Sequence, residues 1–199
     1  MAGRVAQEDL VAIERVGVVG CGLMGSGIAE VCARAGKDVL DREVDAESAE
    51  RGRARIVTSL DRALGAGKLS EEMRDKTLAL LHFTTDIGDL ADRDLVVEAV
   101  VEAEAAKIDV FKLLDKVIVR EEAILASNTS SIPIMKLAMA TQRPASVIGM
   151  HFFNPVPVMR LVEVVVSLLT SPETKASVEG FAGDVLAKRV IVSQDRAGF

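Results

Sequence analysis

Arg15-Val16-Gly17-Val18-Val19-Gly20-Cys21-Gly22-Leu23-Met24-Gly25-Ser26-Gly27-Ile28-Ala29 is the stretch that decides the fold of this 199-residue chain. Val16, Val18 and Val19 form a short apolar run suited to a buried strand, and Ile28, Ala29, Val31, Cys32 and Ala35 recur at helical spacing. Between them Gly20, Gly22 and Gly25 spell G-x-G-x-x-G. In such a unit the first glycine permits a tight turn, the second lets a pyrophosphate approach the backbone, and the third lets helix pack closely on strand. The free N–H groups and positive dipole end of the new helix then face the phosphates. Glycines also mark ordinary turns, so it is the strand before and the helix after that point to a dinucleotide. Gly20, Gly22, Leu23, Met24 and Gly25 are therefore the first candidate cofactor contacts.

Working outward, Gly36 is placed to stop the helix, and Val39 and Leu40 begin a second strand. A carboxylate about 20 residues beyond the glycines is expected to take the ribose hydroxyls. Glu43, 23 residues after Gly20, fits, although Asp41 competes with it. The carboxylate favours NAD over NADP, whereas Arg42 offers a partner for a 2′-phosphate. The pair Asp41-Arg42 is also unusual in a strand that ought to stay apolar.

Further along, the spacing predicts a helix over 46–66 closed by Gly65 and Gly67, and another from Ser70 to about Leu80. A short strand follows near Leu81–Thr84, with His82 read as structural rather than a metal ligand. Leu95 to Val101 is a nearly continuous apolar strand interrupted by Glu98 and followed by Glu102. A helix is expected over 105–119, then strands at Ile124–Ala126, Val147–Met150, Leu161–Val166 and Lys188–Val192, with a helix from about Ser171 to Leu186 before the last. Alternating strands and helices with short connections give an α/β fold, a doubly wound Rossmann-type sheet that is mostly parallel. The expected division is an N-terminal extension at 1–14, a dinucleotide-binding domain at 15–192, and a connection beginning at 193–199.

Composition narrows the function. With 24 Lys and Arg against 30 Asp and Glu, the net charge of −6 leaves no basic excess for a nucleic-acid backbone. No stretch approaches the ~18 apolar residues of a membrane span. Residues 1–14, with Glu8, Asp9 and Glu14 among apolar positions, lack the pattern of a secretory signal. Cys21 and Cys32 lack metal-site or redox-pair spacing, so a reducing, cytoplasmic setting is expected.

Oxidising an alcohol with a nicotinamide cofactor requires a base for the hydroxyl proton, and histidine suits this near neutral pH. A carboxylate on its other ring nitrogen would fix the tautomer. His151 at one strand end and Glu163 on the next strand, twelve residues on, are candidates for such a pair, with Ser130 as a hydroxyl donor to the substrate oxygen. From spacing alone a structural histidine and a salt-bridged glutamate are equally admissible. The same holds for Glu102 and Lys107, which spacing alone would also allow as a surface pair.

Gly20 to Ala29, Val97-Glu98-Ala99-Val100-Val101-Glu102, Ala126-Ser127-Asn128-Thr129-Ser130-Ser131 and His151-Phe152-Phe153-Asn154-Pro155-Val156-Pro157-Val158-Met159, continuing into Leu161-Val162-Glu163-Val164, resemble the L-3-hydroxyacyl-CoA dehydrogenase family over residues 13–199. The resemblance implies NAD-dependent oxidation of (S)-3-hydroxyacyl-CoA to 3-oxoacyl-CoA in fatty-acid metabolism, with a short acyl chain such as 3-hydroxybutyryl. It implies His151 as base, Glu163 as its orienting partner and Ser130 on the substrate 3-oxygen. Asn128 matches a residue near nicotinamide and substrate, Asn154 a substrate contact, Glu43 the ribose carboxylate, and Glu102 and Lys107 further cofactor contacts. The family forms homodimers and carries a helical C-terminal domain after Gly198-Phe199, expected to be absent from these residues. Members usually have apolar residues at positions 41 and 42. The readings left open are a non-catalytic NAD-binding module and a dehydrogenase of another small hydroxy acid.

Overall fold

The computed structural model describes residues 10–196; Glu8, Asp9, Gly198 and Phe199 lie outside the described residues. Eight strands form one sheet: β1 (Arg15–Val19), β2 (Asp38–Arg42), β3 (Leu81–Thr84), β4 (Leu95–Glu98), β5 (Ile124–Ser127), β6 (Val147–Phe152), β7 (Leu161–Val166) and β8 (Arg189–Gln194). Their order is β3-β2-β1-β4-β5-β6-β7-β8. All neighbours run parallel except β6 and β7, which are antiparallel. The chain reverses its direction of travel across the sheet between β1 and β4, and a ligand crevice opens at such a point beyond the strands' carboxyl ends.

Among the described residues six α-helices cover the sheet: α1 (Leu23–Arg34), α2 (Ala46–Gly65), α3 (Glu71–Ala79), α4 (Glu104–Val117), α5 (Ile134–Ala138) and α6 (Pro172–Gly180). Strand alternation divides the core in two. Val16, Val18, Val97 and Ala126 face a cluster with Ile28, Ile56 and Leu60 of α1 and α2. Val19, Val96 and Leu125 face Phe111 and Leu114 of α4 and Leu137 of α5. A sheet buried on both faces needs apolar residues at consecutive positions, which is why these strands read as continuous runs. Ile13 is buried in the same core and the Val11 N–H donates to Ser177 Oγ at 2.9 Å, so the segment preceding β1 already packs on the domain.

The helix starts follow their caps, with Asp45, Ser70 and Ser171 accepting from the N–H groups of Ser48, Met73 and Thr174. Gly36, at φ +83°, ends α1 as expected. Gly65 stays inside α2, while Gly67, at φ +66°, makes the turn beyond it.

Several boundaries differ from the sequence reading, among them α4, which ends at Val117, and β6, which runs on to Phe152. The strand expected to reach Val101 ends at Glu98, because the Glu98 carboxylate turns back to accept from the Val100 N–H at 2.7 Å. The helix expected through Leu186 ends at Gly180 and widens into a π-turn over Phe181–Val185. The last strand runs from Arg189 to Gln194, two residues past Val192.

β2 forms despite its polar residues, paired with β1 and β3. The cost sits at Asp41, which is fully buried with neither carboxylate oxygen hydrogen-bonded. Burial pushes the Asp41 carboxyl up to about 8, with the Cys21 thiol partly opposing and the Glu43 charge adding to the rise. A carboxyl raised in the fold from its ordinary 3.8 leaves the native state holding a proton that the unfolded chain has lost. Stability therefore falls as pH climbs from about 3.8 to about 8. Replacing Asp41 by Val removes that dependence. Asp41→Val is expected to raise Tm, with a gain at pH 8 larger than at pH 5 by several degrees, taking about 2–4 °C per kcal/mol for a domain of this size. Thermal melts across that pH range check it, and a gain independent of pH would show that Asp41 is ionised in the fold.

Candidate active site

The glycine turn is built by contacts that exclude side chains. Gly20 has φ +99°, and a Cβ there would lie 3.0 Å from the Ala99 carbonyl oxygen. A Cβ on Gly25 would lie 1.7 Å from the Gly20 carbonyl oxygen, so only glycine lets α1 begin this close to β1. Gly22 is different, with open space around the position of a Cβ. It is the N-cap of α1, where no side chain makes a capping hydrogen bond and no acidic residue occupies the first turn. The positive end of α1 thus faces an open approach, which fits a pyrophosphate.

Glu43 closes the turn from the side. Its Oε1 accepts from the Cys21 N–H at 2.7 Å and its Oε2 from its neighbour Val44 at 3.0 Å. The Gly20 N–H donates to the Arg42 carbonyl at 2.9 Å, so the end of β2 is stitched to the turn. Of the two acids that compete for a ribose, Asp41 is sealed in the core and Glu43 lies at the turn. Burial and the adjacent Asp41 drive the Cys21 thiol far above its ordinary range, so it behaves as a packing group.

On the other side of β1, the end of β4 carries a charged network that the sequence reading did not assign. Glu98 is fully buried. Its Oε1 accepts from the Lys107 ammonium at 2.7 Å as well as from Val100, and its Oε2 accepts from Ser127 Oγ at 2.6 Å. Lys107, itself 1 % exposed, reaches Glu102 Oε2 at 3.2 Å. Glu102 Oε1 accepts from Ser131 Oγ at 3.1 Å, the Ser130 N–H at 3.2 Å and the Thr129 hydroxyl. Burial opposes ionisation of Glu102, but the Thr129 hydroxyl and the Lys107 charge outweigh it and hold the carboxyl below the usual range. The only sequence signal for Glu98 was a carboxylate inside an otherwise apolar strand.

The next strands bring the remaining candidates to the same edge. His151 and Glu163 are direct partners across the antiparallel β6–β7 pair. His151 Nδ1 lies 2.8 Å from Glu163 Oε2, and the Phe153 ring packs against the imidazole with centroids 4.6 Å apart. Asn128 Oδ1 accepts from the Phe152 N–H at 2.9 Å, which leaves the amide NH2 of Asn128 as its donor to a ligand. A cleft of about 370 Å³ is lined by Met24, Glu102, Lys107, Asn128, Ser130, His151 and Asn154. Seven candidates from four stretches of the chain thus share one space. Glu163 stands behind His151 rather than on the cleft wall, Leu23 is exposed outside it, and Glu43 lies across the glycine turn.

Asn154 also lines a second groove of about 620 Å³ between α1, α2 and the turn at Pro155–Pro157. Arg51, Arg55 and Arg62 of α2 border that groove, and the Arg55 guanidinium donates to the Cys21 carbonyl at 3.0 Å. Among the described residues no helix is long and apolar enough to cross a membrane.

Comparison with known proteins gives a consistent result. The family model described as 3-hydroxyacyl-CoA dehydrogenase, NAD binding domain, matches residues 15–196. A 3-hydroxybutyryl-CoA dehydrogenase of Mycobacterium tuberculosis is 57% identical over 188 residues, covering 94% of this chain and 66% of the relative. The mitochondrial hydroxyacyl-coenzyme A dehydrogenase of Sus scrofa is 40% identical over 201 residues, covering 98% of this chain and 63% of the relative. The solved (S)-3-hydroxybutyryl-CoA dehydrogenase of Ralstonia eutropha superposes with a TM-score of 0.91 at 42% identity, over 94% of this chain and 66% of that one. The chain therefore spans just under two thirds of the length of the curated relatives it matches.

The glycines make separable predictions. Gly22 has φ −67°, which alanine adopts without strain, and free space for a methyl group. Gly22→Ala is expected to leave Tm unchanged or slightly raised. The methyl should obstruct the pyrophosphate, weakening NADH by at least about tenfold, or about 1.4 kcal/mol. Melting curves and NADH fluorescence titration check both halves, and undiminished NADH affinity would move the phosphate site elsewhere.

Proposed function

The chain belongs to the 3-hydroxyacyl-CoA dehydrogenase family and carries its NAD-binding domain, and from that premise we propose that it serves the NAD-dependent oxidation of (S)-3-hydroxyacyl-CoA to 3-oxoacyl-CoA. The observation that carries this reading is the 2.8 Å contact between His151 Nδ1 and Glu163 Oε2, behind a cleft that also holds Ser130 and Asn128. Bound NAD supplies the hydride acceptor for the substrate's third carbon. With the Nδ1 proton directed at Glu163, the Nε2 atom of His151 takes the hydroxyl proton as hydride departs, and Glu163 steadies the imidazolium that results. The Ser130 hydroxyl and the Asn128 amide donate to the 3-oxygen as it becomes a carbonyl. Gly20, Gly22, Leu23, Met24 and Gly25 hold the pyrophosphate region, Glu43 the ribose, and Glu102 and Lys107 the nicotinamide side.

The acyl-CoA class is supported by Asn154, which lines both the cleft and the arginine-bordered groove. A substrate whose reactive end lies at His151 and whose anionic end reaches Arg51, Arg55 and Arg62 suits that layout. The relatives named 3-hydroxybutyryl-CoA dehydrogenase favour a short acyl chain and a place in fatty-acid oxidation. We read the setting as cytoplasmic and the working form of the full-length protein as a homodimer. Residues 15–192 act as the dinucleotide domain, with Val11 and Ile13 of the preceding segment packed on it and β8 continuing to Gln194.

Acetoacetyl-CoA reduction, followed by NADH consumption, tests the proposal on this chain and on one extended by the remaining third of a relative. Activity in either form supports it, and inactivity of both with NADH still bound defeats it. In the active form, His151→Ala should lower kcat by about 10²–10⁴-fold, the range for loss of a general base. NADH affinity should stay within about twofold of the parent, since the imidazole is placed to contact substrate. An equal loss of turnover and NADH binding would make His151 a structural residue.

A further inference from the structure

Glu98 contributes no atom to the cleft, yet its carboxylate meets three separate segments on which the cleft depends. It ends β4, in register with Val19 immediately before the glycine turn and with Ser127 at the end of β5. Through the Val100 N–H it bends the chain so that Ala99 and Val100 lie against Gly20. By way of the Lys107 ammonium it anchors the start of α4, and that ammonium reaches Glu102. Through Ser127 Oγ it fixes the strand end from which Asn128 projects, and its own carbonyl accepts from the Asn128 N–H at 2.9 Å. Asn128 in turn holds the Phe152 N–H, next to His151.

We propose that Glu98 is a positioning residue for cofactor binding and hydride transfer: one buried carboxylate sets the cofactor turn, the Lys107–Glu102 pair and the Asn128–His151 side at fixed distances from one another. The inference that it places the His151 side rests on the dehydrogenase reading, whereas its effect on the cofactor turn does not. A carboxylate with three donors is uniquely suited to this. A glutamine at the same place keeps the shape but removes the negative charge opposite the buried Lys107 ammonium, and its amide N–H groups reverse the hydrogen bond with the Ser127 hydroxyl. Small displacements of reacting groups are costly, of order 10²-fold for 1 Å.

The test is NADH titration by fluorescence, which a chain with no Trp and no Tyr leaves free of competing protein emission. Glu98→Gln should weaken NADH by at least about tenfold at a temperature where melting curves show it folded. The double variant Glu98→Gln/Lys107→Met should lose less NADH affinity than the two single losses added together, because part of the Glu98 effect runs through Lys107. Affinity within twofold of the parent, or losses that simply add, would overturn the proposal and reduce Glu98 to a core residue. Should Glu98→Gln fail to fold, Ser127→Ala removes the Oε2 contact together with a longer 3.3 Å bond from the Thr129 N–H: a severalfold NADH loss supports the proposal, and an unchanged affinity overturns it. In a form that reduces acetoacetyl-CoA, kcat of Glu98→Gln should fall even at saturating NADH, and an unchanged kcat would remove the His151 side from the proposal. If no form is active, the dehydrogenase reading fails while the NADH titrations still decide the role of Glu98 at the cofactor turn.

Discussion

The contact between Gly25 and the carbonyl of Gly20 governs the rest of the molecule. A methyl group at Gly25 would sit 1.7 Å from that oxygen, so the absence of a side chain is what allows α1 to leave β1 within a single tight turn. With α1 fixed there, its uncapped N-terminus points across the carboxyl edge of the sheet, at the crevice between β1 and β4. Val19 is in register with Arg42 on one side and Glu98 on the other, so β2 and β4 end level with the turn. Glu43 and the Glu98 network therefore flank it symmetrically, one closing the turn at Cys21 and the other supporting the Ala99–Val100 backbone against Gly20.

The second constraint is the change of strand direction between β6 and β7. In an antiparallel pair, residues directly opposite have Cβ atoms about 4.5–5.5 Å apart on the same face. His151 and Glu163 are opposite, so imidazole and carboxylate meet without any loop having to be positioned. Met150 and Phe152 take the buried core face, which leaves His151 for the other. Had β7 run parallel, residue 163 would follow a longer crossover and share no register with 151. The dyad is thus a product of the sheet, and the cleft inherits the sheet's rigidity.

What could be read in the sequence follows from the range of the interactions involved. β1, α1 and the glycine turn are local, and their spacing was sufficient. Capping at Ser70 is likewise local and legible, and Asp45 and Ser171 cap α2 and α6 in the same way. Spacing offered His151 and Glu163 only as candidates, because nothing in a twelve-residue interval chooses between antiparallel pairing and a looped return. The resemblance of four motifs supplied the roles, not the geometry. The Glu98 network escaped because its partners lie 9 and 29 residues away and its signal, a carboxylate in an apolar strand, is shared with any salt-bridged glutamate. The end of β4 was missed for the same reason: Val100 and Val101 continue the apolar pattern, and it is the Glu98 side chain that diverts the backbone.

Two buried acids beside β1 show how differently a sheet interior can accommodate the same functional group. Glu98 retains three donors, among them a buried ammonium, so its charge is compensated by geometry and the segments donating to it are tied together. Asp41 has no hydrogen-bond partner for either oxygen, and the fold accommodates it by keeping the proton that a carboxylic acid ordinarily loses. The first arrangement converts charge into rigidity on the side of the cleft. The second leaves β2 carrying a proton-dependent weakness two residues before Glu43, which lies just past the strand's end. An ionised Asp41 would add negative charge behind the residue that closes the glycine turn, opposed only in part by the Cys21 thiol. Tolerance of such a residue at position 41 therefore depends on the low polarity of its surroundings, the same burial that covers β1 between β2 and β4.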